Sequence, residues 1–442
     1  MRFDTAVIVG GSISGLLTAA AIKDHCNKIE ILDKDAIPQE LSSTSRKYVP
    51  QAQHAHLILA GGETAMESLV PGLRKLALEE GAVLLDATRD WYSCFQEGML
   101  PTYRSDISTL CISRALLETL LRKLILENSD NIVFKDSVRV QQIELGEGQH
   151  RVIYTSKGET ISRAADLAVD ARGRGSDAKK LVEEKGIHVK SEIVKPFIGY
   201  TSAWFNMPLN LPGNKRGLIV MARSPNNPTG AVLVPVEEGR YVLTCFGFNR
   251  NYPPETWHEI LEFTRSVRDT VIYEAIKEAK PHTIKVFHKD VNYFHRFAKN
   301  RDWIDGFLVV GDAISSFNPI YGQGMATAAI ASVRLNEILH TAQDTRTLQQ
   351  VLTDTYKDPW IVSGNEDLRW SGTEVENRPF GLAAIHTMGD RIARAATIDK
   401  EVTTAYVKVL HMLERPTTFF HPKILLKIFS SQKVKQENSA RV

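Results

Sequence analysis

Several things are scarce in these 442 residues. There are only four cysteines, Cys26, Cys94, Cys111 and Cys245, and none sits in a C-x-x-C pair. No histidine cluster has zinc spacing, so a disulfide framework and a cysteine–histidine metal site are both set aside; the thiols read as small buried hydrophobes. Net charge is nearly absent. Lys+Arg number 54 against Asp+Glu 52, a formal +2, so no field steers the chain toward nucleic acid. No uninterrupted apolar stretch reaches the roughly 18 residues of a membrane-spanning helix. The early run AVIVGGSISGLLTAAAI is broken by glycine and serine and reads as a buried strand and helix rather than a leader. Internal repeats and low-complexity segments are also lacking. A cytoplasmic soluble protein of two to four structural units is the expectation, at about 100–200 residues per domain.

What is present is glycine at chosen places. Thr5 to Val9 is a short apolar run, as a buried parallel strand requires. Gly10-Gly11-Ser12-Ile13-Ser14-Gly15 follows, then helix formers from Leu16 to Ile22, then a second strand from Ile29 that ends at Asp33. The turn matches G-x-G-x-x-G except for Ser12 at the middle position. Such a turn brings backbone close to a pyrophosphate, and the helix behind it offers free N–H groups and a partial positive charge. A carboxylate at the end of the next strand can accept hydrogen bonds from ribose hydroxyls.

A second turn of this kind stands some 300 residues on. Phe307 to Val310 reads as a parallel strand running into Gly311-Asp312, and Phe317-Asn318-Pro319-Ile320-Tyr321-Gly322-Gln323-Gly324-Met325 leads into a helix. Asp312 can accept from a ribityl or ribose hydroxyl. Gly322 to Met325 offers open N–H groups to a phosphate or to negative charge on a flavin ring. Two such turns suit one long cofactor lying across one domain.

Between the turns, residues 36–52 are polar and irregular, an extended loop. Residues 83–112 suggest antiparallel strands, and Ser113 to Glu127 is helical by its leucine spacing. From 190 to 290, strand-like runs at Phe197–Met207, Gly217–Ala222, Ala231–Val236 and Tyr241–Gly247 are separated by Asn- and Pro-rich turns. They look like an antiparallel sheet inserted between halves of an α/β domain. The tail from about 350 is mostly helical.

VIVGGSISGLL, Asp33, SRKYVPQAQHAH at 45–56, SRALLE at 113–118, DARGRGS at 170–176 and GDAISSFNPIYGQGM at 311–325 occur in this order. Together, across roughly residues 5–345, they resemble the FAD-dependent monooxygenases of the single-component, hydroxybenzoate-hydroxylase-like superfamily. RKYVPQAQHAH and FNPIYGQGM look most like segments of the bacterial flavin epoxidases of polyether biosynthesis. The resemblance implies a Rossmann-like FAD-binding α/β domain over 1–185, with substrate-side strands near 86–112. It also implies an inserted antiparallel substrate sheet over 186–295, a second FAD-binding part over 296–345 and a helical C-terminal region over 346–442.

It further implies roles. Gly10, Gly11, Ser12, Ser14 and Gly15 would hold the FAD pyrophosphate and Asp33 the adenosine ribose, with Lys34 also among the cofactor-binding residues. Arg46 would reach the phosphate or ribityl region, Arg114 would lie beside the cofactor, and Val138 would meet the adenine by its backbone. Asp170 to Gly173 fits a second fingerprint loosely. Asp312 would bind the ribityl chain, while Pro319, Gly322, Gly324 and Met325 would face the isoalloxazine. Reduced FAD would react with O2 to a C4a-hydroperoxide that inserts one oxygen atom, by alkene epoxidation or hydroxylation, into a lipophilic secondary-metabolite-type substrate. The flavin carries that chemistry. Tyr92, Phe95, Tyr200, Trp204, Phe205, Phe246 and Phe248 are candidates to line an apolar pocket, with His54 a weak candidate acid or base beside a packing role. NADPH or NADH, or a separate flavin reductase, would supply electrons. The alternatives are a reductase of prenyl-type double bonds and a flavoprotein without turnover that serves as a binding partner.

The C-terminal segment Thr417 to Phe429 is apolar with interspersed lysines, and 416–442 holds five Lys/Arg against one acidic residue. It reads as a terminal helix docked on the domain, the alternative being peripheral membrane contact.

Overall fold

The computed structural model describes residues 1–37, 46, 50–206, 209–299 and 302–439, without the side chains of 50, 51 and 431–439. Most of the polar loop expected over 36–52, and the final Met207 of one expected strand, lie outside the described residues.

Five parallel strands form the sheet that carries the first glycine turn. Their order is Phe307–Val309, Leu167–Asp170, Phe3–Val9, Cys26–Leu32, Ile132–Lys135. Ala6, Val7 and Ile8 are fully buried, as strands covered on both faces must be. The register pairs Val9 with Leu32 and Asp170, and Asp170 with Val309. The carboxyl ends of four strands therefore bring Gly10, Asp33, Ala171 and Gly311 to one edge, where open α/β sheets bind ligands. The helices Ile13–Ile22 and Gln323–Leu339 pack against each other beside this edge.

A seven-stranded sheet carries the inserted unit, in the order Thr283–Lys289, Ile198–Asn206, Arg240–Gly247, Thr229–Val236, Gly217–Val220, Trp91–Phe95, Gly98–Met99. It is antiparallel except where Gly217–Val220 runs parallel to Trp91–Phe95. Within 83–112 the strands pair antiparallel as expected, Val83–Asp86 with Ser108–Cys111 and Trp91–Phe95 with Gly98–Met99. Strand parity divides this sheet. Ala203 and Phe205 pack with Ile260 and Ile276 of the helical segment behind it, while Ile198 and Tyr200 point the other way.

Arg139–Glu144 and His150–Ser156 pair antiparallel as a hairpin. Two helices, Trp257–Ser266 and Val271–Ile276, cover the back of the seven-stranded sheet. The C-terminal region is mostly helical, apart from a short strand Glu374–Val375 paired with Ser191–Lys195, and its Pro422–Ser439 helix buries Ile428 beside Phe419, Ile392 and Val402.

Candidate cofactor and substrate site

Gly15 has the packing role its motif implies. A Cβ on it would fall 1.9 Å from Gly10 O and 3.4 Å from Ile8, so only glycine lets the helix sit this close to the strand. The Ile13–Ile22 helix starts without a side-chain cap and has no acidic residue in its first turn. Its first N–H groups are left for an anion.

Around this turn the charges form one network. Asp33 accepts from Gly11 N at 2.7 Å and Asp35 N at 2.8 Å. Arg46 donates to Asp33 and Glu118 and, at 3.0 Å, to Asp35. Against the cost of burial, Glu118 and Asp33 hold Arg46 above its ordinary pKa. Ser12 Oγ donates to Glu118 at 2.6 Å and accepts from Arg114 Nη2 at 3.0 Å. Lys34 is exposed in the turn after Asp33. Val138 is buried and gives its N–H to Asp33 O at 2.8 Å, so for an adenine it has its carbonyl left.

The second turn meets the first. Ser14 lies against Gly311, where a Cβ would be 2.3 Å from Ser14 Oγ. Asp312 follows, partly buried, and its carboxylate takes no hydrogen bond from the described residues; its backbone oxygen accepts from Tyr293 at 2.9 Å. Pro319 opens a short 3-10 turn, Pro319–Tyr321, capped by the Asn318 side chain, which accepts from Ile320 N. Gly322, at φ +67°, then starts the Gln323–Leu339 helix without a side-chain cap. A side chain would be strained at that φ. Met325 is partly buried against the main core.

Three observations test whether a flavin dinucleotide suits these residues. Arg114 Nε is buried with no hydrogen-bond partner, its nearest carboxylate, Glu118, lying at 3.6 Å. Burial pulls Arg114 below the ordinary arginine value, with Glu118 and Asp312 opposing. Gln323 Oε1 is likewise buried and unpartnered. A Cβ on Gly324 would meet nothing within 4 Å, so open space adjoins the helix start. An uncommitted guanidinium donor, an uncommitted amide acceptor and a carboxylate around open space fit a phosphate- and hydroxyl-bearing cofactor.

The second fingerprint serves the fold. Asp170, fully buried, accepts from Arg172 Nη2 at 2.6 Å and Ser176 Oγ at 2.8 Å, which ties the 170–176 turn together.

The apolar candidates divide. Tyr200, Phe246 and Phe248 share one cluster with Ile198, Ala222 and Trp370, and Phe287, Ile320 and Tyr321 pack on it. Tyr200 stacks on Phe287 at 5.2 Å and Phe248 on Trp370 at 4.9 Å. This face of the sheet is thus continuous with the Pro319–Tyr321 turn. Three candidates lie elsewhere. Tyr92 packs with the cluster behind the sheet and donates to Asp269 at 2.7 Å. Phe95 meets Tyr406 of the helical region. Phe205, by strand parity, faces Trp257 on the far side. Trp204 is on the near face but anchors the preceding loop, donating from Nε1 to Gln53 O at 2.8 Å.

His54 is a latch. Its Nδ1 lies 2.8 Å from Ser202 Oγ, which is 2.6 Å from Thr244 Oγ1, and its ring meets Tyr200 edge-on. Burial pushes it down to about 4, so the ring is neutral at pH 7. It carries no imidazolium charge there, and its Nδ1 is committed to Ser202.

The sequence pattern does not mark Lys289, Asn292 and Asp367, a buried polar group beside the second turn. Asp367 accepts from Asn318 Nδ2 at 2.5 Å, Asn292 Nδ2 at 2.9 Å and Tyr321 OH at 3.3 Å. Lys289 donates to Ser316 Oγ at 2.9 Å and to Phe317 O. Burial moves both toward neutrality: Lys289 down to about 7 and Asp367 up to about 7. A lone lysine ending a strand and a lone aspartate in a helical tail carry no sequence signal.

No family model matches the chain. Protein Rv3254 of Mycobacterium tuberculosis is 26% identical over 432 residues, covering 93% of this chain and 90% of that one. Among solved structures, p-nitrophenol 4-monooxygenase PnpA from Pseudomonas putida DLL-E4 superposes with a TM-score of 0.64 at 16% identity, covering 94% of this chain and all of that one. The flavin-dependent brominase Bmp2 superposes with a TM-score of 0.66 at 13% identity over the whole of both chains. The fold is that of flavin-dependent monooxygenases and halogenases. Within this fold the two glycine turns described above share one edge of the parallel sheet, and the Tyr200–Phe246–Phe248 face adjoins it.

Proposed function

We propose that the chain is an FAD-dependent monooxygenase that inserts one oxygen atom from O2 into a lipophilic small molecule, by alkene epoxidation or hydroxylation. The observation that carries this reading is the contact of Ser14 with Gly311. It joins two uncapped helix starts and the uncommitted Asp312 carboxylate into one site. The shared fold and the order of motifs along the chain support it.

In this reading the first turn and Arg114 hold the pyrophosphate, Asp312 accepts from the ribityl chain, and Gln323 to Met325 present N–H groups to the ring, the Gly322 N–H being donated to Pro319 O at 3.0 Å. Bound FAD, once reduced by NADPH, NADH or a partner reductase, supplies the reaction with O2 that makes an oxygen atom transferable. The protein's own task is to orient the substrate and keep water away. Tyr200, Phe246, Phe248 and Trp370 form an apolar wall suited to that task and to a lipophilic substrate. No side chain is asked to donate a proton, which agrees with a neutral His54.

The test is reconstitution with FAD and a reductant, then turnover of apolar alkenes and aromatics under labelled O2. Product carrying one labelled oxygen is the expected result. Reduction of an alkene without O2 consumption would replace this reading with that of a prenyl-type reductase.

A further inference from the structure

The segment Ser316 to Tyr321 is suspended between two buried ionisable side chains that come from opposite parts of the fold. Lys289 ends a strand of the inserted sheet and holds Ser316 and Phe317. Asp367 ends the helix Lys357–Asp367 of the C-terminal region and holds Asn318 and Tyr321. Both hydrogen-bond to the loop, and each also helps hold the other's charge across it.

The hydrogen bonds at Asp367 dictate the turn. Three donors converge on it, and Asn292 leaves its own Oδ1 buried and unpartnered to supply one of them. With its amide nitrogen committed to Asp367, Asn318 must turn its oxygen toward Ile320 N, at 3.1 Å. That bond caps the Pro319–Tyr321 turn, which delivers Gly322 to the helix start.

We propose that Asp367, assisted by Lys289, is a positioning residue for the cofactor-facing segment Asn318–Gly322, so that the helical tail is part of the flavin site. This rests on the FAD reading above.

The test compares wild type with Asp367→Asn, Asn318→Ala and Asp390→Asn. The last breaks the Arg369–Asp390 ion pair, 2.7 Å, in the same helical region without touching the loop. Each is titrated with FAD, and the visible circular dichroism of the bound flavin is recorded beside the melting temperature. Asp367→Asn and Asn318→Ala should each raise the FAD dissociation constant about tenfold, the scale of one charged hydrogen bond. Both should also change the dichroism envelope, while Asp390→Asn matches wild type in both. Should Asp367→Asn fail to fold, Asn318→Ala decides, because it leaves Asp367 with Tyr321 and Asn292. The proposal is overturned if both loop variants bind FAD with wild-type affinity and envelope, or if Asp390→Asn changes them equally. Wild type that binds no FAD would instead overturn the underlying reading.

Discussion

Ser14 and Gly311 touch, although 297 positions of sequence separate them; a Cβ on Gly311 would fall 2.3 Å from Ser14 Oγ. Each ends up there because its strand stops at the same edge of one parallel sheet. The contact brings the two glycine turns together at one edge of the sheet, with Arg114 and Asp312 close enough to feel each other's charge.

Gly15→Val should be among the most damaging single changes. Its Cβ would collide with Gly10 O at 1.9 Å, against backbone that cannot step aside. A loss of several kcal/mol is expected, on the scale of the larger core overpacking effects of about 1–3 kcal/mol and above. Urea denaturation and FAD titration check it. Normal FAD affinity in this variant would contradict the turn geometry.

Asp312→Ala should do the opposite: spare the fold and lose the ligand. The carboxylate has no hydrogen bond to protein among the described residues, so the melting temperature should hold within a few degrees. FAD affinity should drop about tenfold, as for removal of one charged acceptor. Unchanged affinity would remove Asp312 from the site.

Acid should destabilise the protein through its buried histidines. His54 is held down to about 4 by burial, below its usual 6.5, so the unfolded chain binds the proton first. Stability from this residue is therefore full above about pH 6.5 and falls as pH drops toward 4. Between pH 6.5 and 5 the loss is roughly 1.5 kcal/mol. Equilibrium unfolding of wild type and His54→Gln at both pH values measures it; the variant should show a shallower decline by about that amount. Equal slopes would place His54 in solvent.

The C-terminal helix should not bring the protein to membranes. Lys427 pairs with Asp399 at 3.0 Å and Glu401 at 3.1 Å, Lys423 pairs with Glu401 at 2.8 Å, and Ile428 is buried. No helix among the described residues is long and apolar enough to cross a membrane. Phe420, Leu426 and Phe429 do remain exposed. Full-length protein should stay in the supernatant with anionic vesicles at physiological salt. Sedimentation that disappears on truncation before Pro422 would restore the interfacial reading.

The glycine turns are legible in the sequence because their physics is local: a strand end, a helix start and residues without side chains to block them. Strand parity is legible too. Counting along one strand separates Tyr200 from Phe205, since odd and even residues face opposite ways. Tyr92 and Phe95 are not legible in this way, because which face of the sheet meets the flavin-binding unit is a matter of long-range packing. Asp367 and Trp370 are the least legible. Periodicity marks a helix and its apolar side, but nothing in it tells that this helix ends against Asn318 and that the turn after it stacks a tryptophan on Phe248.

The most direct measurement is a titration of the purified, flavin-stripped protein with FAD, followed by its visible absorption after gel filtration. The expected result is a yellow protein with one FAD per chain, bound less tightly in Asp312→Ala. Protein that emerges colourless after reconstitution, while still folded by circular dichroism, would contradict the account that the two glycine turns form one cofactor site.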